Sequence, residues 1–238
     1  RPPRSTLFPY TTLFRSTGAM AVFIPMECAK NGRISVKFFK AEIKDLELRY
    51  RLINKQLKKT CLPYFTNMEY RGGPSQGAIV EGKDTPFIKM EYVEGENLKT
   101  YIEKLVFTKD RQGLNRLAQK WGRMIVEMKK TGIAHGDLHP GNIKVNSKQE
   151  IKLLDLDTMY VPEMALYNLE SPAIGHPGYQ HPKRSKTHFN AQIDNFSALV
   201  IYLTLLALAE DSSLYTPHTV GEERSEERRV GKECRSRW

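Results

Sequence analysis

The chain has 238 residues, with 37 lysines and arginines against 27 acids and a formal net charge of +10. A charge of that size would ordinarily point to nucleic acid, but much of it lies in two terminal segments that do not read as natural protein. With codons chosen freely, residues 224–238 read on the complementary strand give residues 2–16: Trp238 gives Pro2, Cys234 gives Thr6, Lys232 gives Phe8 and Arg224 gives Ser16, without a break. Both segments look like in-frame translations of one sequencing-adaptor oligonucleotide, read once on each strand, and are set aside as non-native. Arg1, Arg4 and Arg15 carry +3, and the tail adds six basic and three acidic residues, so the insert of residues 17–223 is near +4. No nucleic-acid partner is expected. About 207 residues suffice for one large or two small packed units. Setting aside Cys234 leaves Cys28 and Cys61, which form neither a disulfide framework nor a zinc spacing, so a reducing compartment is expected. No internal repeat, low-complexity tract or signal peptide is visible, although an adaptor-derived start would hide a leader.

In chain order, residues 20–26 (MAVFIPM) and 34–39 (ISVKFF) are β-rich runs separated by Asn31-Gly32, a strong hairpin signal. Alternation puts Lys37 on one face of the second run and Lys40 on the other, so only one of them points inward. Residues 42–57 have helical spacing, with Leu46, Tyr50, Ile53 and Leu57 on one stripe. Residues 87–93 (FIKMEYV) read as a strand ended by Glu94-Gly95. From Leu114 to Met128 a second stripe (Leu114, Leu117, Trp121, Met124, Ile125, Met128) predicts a core-facing helix, closed by a left-handed cap at Gly132. Residues 143–145 and 151–154 predict a hairpin with its turn at Asn146-Ser147-Lys148. The apolar run 196–209 is about fourteen residues long, short of the roughly 20 a membrane span needs, and is expected to be a buried core helix.

Two motifs carry chemistry. Residues 135–142 read HGDLHPGN, and Asp155 follows thirteen residues after Asn142 in LLDLD. The intervening hairpin returns its ends to one place, bringing Asn142 and Asp155 side by side with Asp137 nearby, a set suited to a magnesium nucleotide. This pair of motifs resembles the catalytic and metal-binding loops of the protein-kinase-like superfamily, and the whole pattern resembles a bacterial-type serine/threonine kinase-like domain over about residues 18–210. The resemblance implies an α+β, two-lobed fold: a small β-rich N-lobe (17–92) and a mainly helical C-lobe (93–223), truncated at both ends.

The resemblance also implies roles. Asp137 falls at the catalytic aspartate, and His139 takes the place of the lysine that touches the γ-phosphate. Asn142 and Asp155 fall at the magnesium ligands. Asp157 replaces the glycine of the metal loop, as either an added ligand or a solvent-facing acid. Gly18 stands where a glycine-rich loop covers the phosphates, and the resemblance favours Lys37 over Lys40 as the lysine that grips them. Glu47 is the candidate partner for that lysine. Met90 falls at the gatekeeper, so that the backbone of Glu91 and Val93 would bond adenine. Gly136 replaces an arginine that docks a phosphorylated loop in many protein kinases.

Residues 175–182 (GHPGYQHP) resemble the end of an activation segment, with His181-Pro182-Lys183 where the anchoring glutamate would fall. Asp194 either holds the catalytic loop's backbone, as the resemblance implies, or caps a helix. The expectation is an ATP- and magnesium-dependent phosphotransferase acting on Ser/Thr hydroxyls of proteins, cytoplasmic or a cytoplasmic domain of a longer chain. The alternatives are a small-molecule kinase similar to the aminoglycoside and choline kinases, and a pseudokinase serving as a binding or scaffold module.

Overall fold

The computed structural model describes residues 16–17, 21–28, 32–39, 44–72, 77–80 and 83–215. The terminal segments set aside above lie outside these, apart from Ser16, and so do Gly18, Lys40 and Asn31. The first half is mainly sheet. Strands β1 (Ser16–Thr17), β2 (Ala21–Cys28), β3 (Gly32–Phe39), β7 (Phe87–Glu91) and β4 (Met68–Arg71) form one antiparallel sheet in that spatial order. The hairpin expected around Asn31-Gly32 is present. Its register pairs Cys28 with Gly32, so residues 29–31 make the connection and Gly32 belongs to the strand. A small hairpin, β5 (Ala78–Val80) with β6 (Lys83–Thr85), precedes β7.

Helix α1 (Leu46–Thr60) follows β3. Its predicted stripe is inward, with Ile53 fully buried and Tyr50 nearly so. The helix starts four residues later than the spacing suggested. Asp45 has φ +59, a left-handed conformation that cannot continue a right-handed helix upstream. Cys61, also left-handed at φ +49, closes the other end by donating its N–H to Leu57 O.

The second half is mainly helical. Strand β8 (Glu96–Asn97) leads into α2 (Leu98–Phe107), where the Asn97 side chain accepts from Thr100 N–H as an N-cap. Helix α3 (Arg111–Lys130) buries Leu114, Leu117, Trp121, Met124 and Met128 on one side, with Ile125 half-buried beside them. Gly132 ends the run at φ +71, and the N–H of Ile133 reaches back to Met128 O at 3.1 Å. A Cβ on Gly132 would meet Pro162 at 2.8 Å. Strands β9 (Ile143–Val145) and β10 (Ile151–Leu153) pair as predicted, and β8 adds to the β9 edge. Their turn runs from Asn146 to Glu150, longer than expected. The Asn146 carbonyl oxygen on its side chain accepts from Lys148 and Glu150 N–H groups.

Helix α4 (Asn195–Glu210) corrects one expectation. It is not buried all round. Ser197, Ala198, Ile201, Leu205 and Leu208 face the core, where Trp121 Nε1 donates to Ala198 O at 3.0 Å. Leu199 and Leu203 on the other side are each 54% exposed. No helix among the described residues is long and apolar enough to cross a membrane. The core is continuous from α1 through α3 and the hairpin to α4. Leu117 lies at its centre without solvent contact. Leu117→Ala is expected to cost about 2–5 kcal/mol of stability, read as a lowered urea midpoint with an unchanged slope.

Candidate functional site

The loop before the β9–β10 hairpin is held by its backbone. Ala134 and Tyr160 exchange N–H to O bonds of 3.1 and 2.8 Å, which ties the start of the loop to the segment beyond Asp155. His135 is fully buried. Its Nδ1 accepts from Asp137 N–H at 3.2 Å, so Nε2 carries the proton and donates to Leu154 O at 2.7 Å. Asp194 accepts from His135 N–H at 2.5 Å and Gly136 N–H at 2.8 Å. It makes no side-chain cap bond to α4. Of the two readings of Asp194, the loop anchor is the one observed. Burial raises its carboxyl pKa against the pull of His135 and the two N–H donors. Gly136 has φ +85, and a Cβ there would lie 2.2 Å from Thr158 O, so the position accepts no side chain.

Asp137 is thereby aimed with both oxygens engaged. Oδ1 accepts from His176 N–H at 2.7 Å, and Oδ2 from Asn142 Nδ2 at 3.3 Å. The same Nδ2 donates to Asp137 O at 3.0 Å, which leaves the Asn142 amide oxygen turned away from these bonds. Leu154 N–H bonds Asn142 O at 2.8 Å, so the two chain ends of the hairpin do meet, with Asp155 next in line. Asp155 has φ +57 and caps a short 3-10 turn, Leu156–Thr158. His139 sits between. Its Nε2 is 3.8 Å from Asp137 Oδ2, and its ring stacks on His176 at 5.0 Å, with Tyr179 at 6.3 Å. Burial lowers the His139 pKa, partly offset by Asp137, so the ring is neutral near pH 7.

Lys37 comes to the same place from the sheet. Its side chain is 1% exposed, and Nζ bonds Asp155 Oδ1 and Asp157 Oδ2, each at 2.5 Å. The rings of Phe23 and Phe39 lie 4.9 and 5.3 Å from the ammonium. Burial works to lower the Lys37 pKa, but the two carboxylates prevail and raise it. The other oxygen of Asp157 accepts a short hydrogen bond from the Tyr50 hydroxyl of α1. Tyr50 is pushed well above its ordinary pKa by burial and by Asp157, so it stays a donor. Burial and the neighbouring Asp155 raise the Asp157 pKa against the pull of Lys37.

Two expectations are corrected here. Glu47 does not reach the lysine: it is exposed on α1, with its charge felt by Tyr70. The residue of that helix that joins the network is Tyr50, one turn on and on the buried side. Asp157 does not face solvent: it is largely buried, with one oxygen bonded by Lys37 and the other by Tyr50. For an oxygen-seeking divalent cation, the donors that fit are the Asn142 amide oxygen and Asp155, which is one-third exposed. Among the described residues no group of three or more His, Cys, Asp or Glu is arranged to hold a metal by itself.

At the strand β7 end, Met90 lies half-buried between Ser35 of β3 and Met68 of β4. The Glu91 N–H is taken by Asn67 O at 3.1 Å, and Val93 O accepts from Lys144 Nζ at 2.9 Å. Tyr92 lies between Arg33 and Lys144, 4.1 and 5.4 Å from its ring centre. The segment 175–184 closes the other side. Gly175 has φ +91, and a Cβ there would meet Gln180 Nε2 at 2.7 Å and Asp137 Oδ1 at 2.8 Å. Gln180 Nε2 and Arg184 Nη1 both donate to Gly136 O, at 3.3 and 2.8 Å. Arg184 and Gln180 thus tie this segment to the loop at Gly136.

Residues 82–165 match the family model described as the ABC1 atypical kinase-like domain, which belongs to the protein-kinase-like superfamily. Over those residues the chain is similar to a protein-kinase-like domain. The match spans just over a third of the sequence and contains Met90, Asp137, His139, Asn142, Asp155 and Asp157. Lys37, Tyr50 and the 175–184 segment lie outside it. No curated protein matches the chain. Tyr50, His176, Gln180 and Arg184 were not singled out from the sequence. Tyr50 has a signal there as a polar-tipped member of a core stripe, and His176 and Gln180 lie within the GHPGYQHP motif, whereas Arg184 has none. Asp194→Ala leaves two buried backbone N–H groups without an acceptor, at about 1–3 kcal/mol each. The expected result is a fall in the urea midpoint together with faster amide exchange at residues 135 and 136.

Proposed function

We propose that the chain is an ATP- and magnesium-dependent phosphotransferase with two lobes, the cleft between them lined by Lys37 above and by Asp137, Asn142 and Asp155 below. The reading rests on one observation: a buried lysine from the sheet converges on the acidic residue after the hairpin, with Asp137 held by Asn142 beside it. Magnesium ATP would supply an electrophilic γ-phosphoryl group. Catalysis of its transfer asks mainly for positioning and charge.

The Asn142 oxygen and Asp155 would hold the metal. Lys37 would steady the phosphates while keeping Asp157 as its counter-ion, with Tyr50 fixing that carboxylate in the position assigned by expectation to Glu47. Asp137 would orient the acceptor hydroxyl and take its proton. A neutral His139 contributes a hydrogen bond and no charge. Glu91 and Val93 would meet adenine through their carbonyl and N–H groups respectively, since the Glu91 N–H is already engaged. Gly18 would lie over the phosphates.

A Ser/Thr hydroxyl of a protein is the favoured acceptor, because the 175–184 segment lies directly on Asp137, as a peptide-docking segment should. The match to an atypical kinase-like domain supports a second reading, a small-molecule hydroxyl, with the His139, His176 and Tyr179 rings as its wall. Labelled ATP with magnesium, offered a generic basic protein and in parallel amino-sugars and choline, separates the two; nucleotide binding without transfer would instead indicate a pseudokinase. Asp137→Ala is expected to lower turnover by about 10²–10⁴, with nucleotide affinity retained. Asp155→Ala is expected to abolish the magnesium-dependent part of nucleotide binding, measured by calorimetry with and without a chelator. Tight magnesium-dependent binding in that variant would assign the metal elsewhere.

A further inference from the structure

A cleft of about 280 Å³ shares no residue with the site around Lys37 and Asp137. Its walls are the loop after α1, with Tyr64; α3, with Lys120 and Arg123; and β10 with the residue before it, from Glu150 to Lys152. The walls are tied together. Leu153 N–H donates to Tyr64 O at 2.8 Å, and Lys152 Nζ to Pro63 O at 2.7 Å. Lys120 Nζ donates to Lys148 O and Gln149 O, each at 3.0 Å. Both lysines are half-buried. The carbonyls hold the ammonium groups in place without neutralising them, and they leave one N–H spare on Lys120 and two on Lys152. Arg123 makes no hydrogen bond to a described residue. It lies close enough to the Tyr64 hydroxyl to pull its pKa down, against burial and the hydrogen bond to Glu127, which push it up to about 12.

An exposed arginine or a carbonyl-held lysine is ordinary when it stands alone. Here three such cations line one cleft, and among the described residues none of them forms an ion pair. Acids are fewer and already engaged. Glu150 lines the cleft and accepts from Asn146 Nδ2 at 2.7 Å, while Glu127 at its border accepts from the Tyr64 hydroxyl at 2.8 Å. The lining therefore carries three positive charges against one negative, an excess of two. We propose that this cleft binds the phosphate monoester of a small organic molecule. A phosphate monoester carries about −1.5 to −2 charges at neutral pH, which matches that excess. The unpaired Arg123 guanidinium offers its fork to two phosphate oxygens, and the spare ammonium N–H groups take the third. Tyr64, Pro63 and Ile151 give the organic part an apolar surface. The volume falls just below the roughly 300–1,000 Å³ of pockets for drug-sized ligands, which suits one ring and one phosphate.

The test is a titration of the full chain with phenyl phosphate, followed by calorimetry and by amide NMR. It involves no ATP and no turnover, so its outcome is independent of the proposed phosphotransfer. Saturable binding with shifts of the Tyr64 and Ile151 amides is the expected result. Arg123→Gln, at an exposed position with no partner to strand, is expected to weaken binding roughly tenfold, the loss of one charged hydrogen bond. Lys130→Gln removes the same charge from α3 outside the cleft and is expected to leave the affinity unchanged. Benzoate, with a ring and a single charge, is expected to bind roughly tenfold more weakly than phenyl phosphate. Absence of shifts at Tyr64 and Ile151 in the unaltered chain overturns the proposal, a result that requires no variant to fold. An affinity that Arg123→Gln does not lower also overturns it. So does an equal loss in Lys130→Gln, because general surface charge would then account for the binding. Benzoate binding as tightly as phenyl phosphate overturns the phosphate monoester as the ligand.

Discussion

A lysine ammonium with almost no solvent contact sets the terms for the rest of this molecule. Removing Lys37 from water is tolerable only with anions in reach, and they come from a segment 118 and 120 residues away. The pairing therefore fixes β3 against the short turn after β10. Tyr50 ties in α1, because Asp157 would otherwise have one oxygen without a donor in a buried place. One charge cluster thus joins the sheet, the first helix and the hairpin end. Deleting one partner of such a pair costs more than the pair contributes, commonly about 3–5 kcal/mol.

The lower half of the site rests on a different principle, the satisfaction of backbone groups. His135 and Gly136 turn their N–H groups inward, where only Asp194 can meet them. Gly136 O accepts from Gln180 and Arg184 of the 175–184 segment. The loop that carries Asp137 is thereby clamped from α4 and from that segment, and the same segment reaches Asp137 itself through His176 N–H. Glycines at 136 and 175 are needed because backbone and Asp137 occupy the space a Cβ would fill. The arginine absent at position 136 is excluded by the fold, since φ +85 and Thr158 O leave no room for it.

Most of this was legible where pattern and chemistry coincide. The α3 stripe, the β9–β10 hairpin and the cap at Gly132 follow from periodicity and turn residues, whereas alternation alone leaves Lys37 and Lys40 open and the resemblance favours Lys37. Asp137, Asn142 and Asp155 follow from their spacing, and the structure brings them within one neighbourhood. Legibility failed where three-dimensional contact overrides local pattern. Nothing in the spacing of residues 42–57 says that Asp45 turns left-handed and delays the helix, or that Tyr50 rather than Glu47 faces the lysine's carboxylates. Asp157 could not be placed, because its fate depends on a tyrosine more than a hundred residues earlier. Helix α2 has no counterpart among the predicted elements, although Asn97 is a proper cap and Leu98, Ile102 and Leu105 form a buried stripe. Helix α4 misled in the other direction: it is apolar on every side, so hydropathy alone could not say which face was covered.

The placement of Tyr50 has a consequence for how the two halves communicate. Adjacent residues on a helix point about 100° apart, so Tyr50 and Arg49 address different structures from one turn of α1. Tyr50 holds the counter-ion of Lys37, and Arg49 holds the Glu170 carbonyl beside the segment that clamps the loop carrying Asp137. Any displacement of α1 must then disturb both contacts, because neither side chain has slack in its buried surroundings. Here the acids come from the turn after β10 and the helix offers a hydroxyl, so the lysine and the 170–186 segment are both tied to one rigid element.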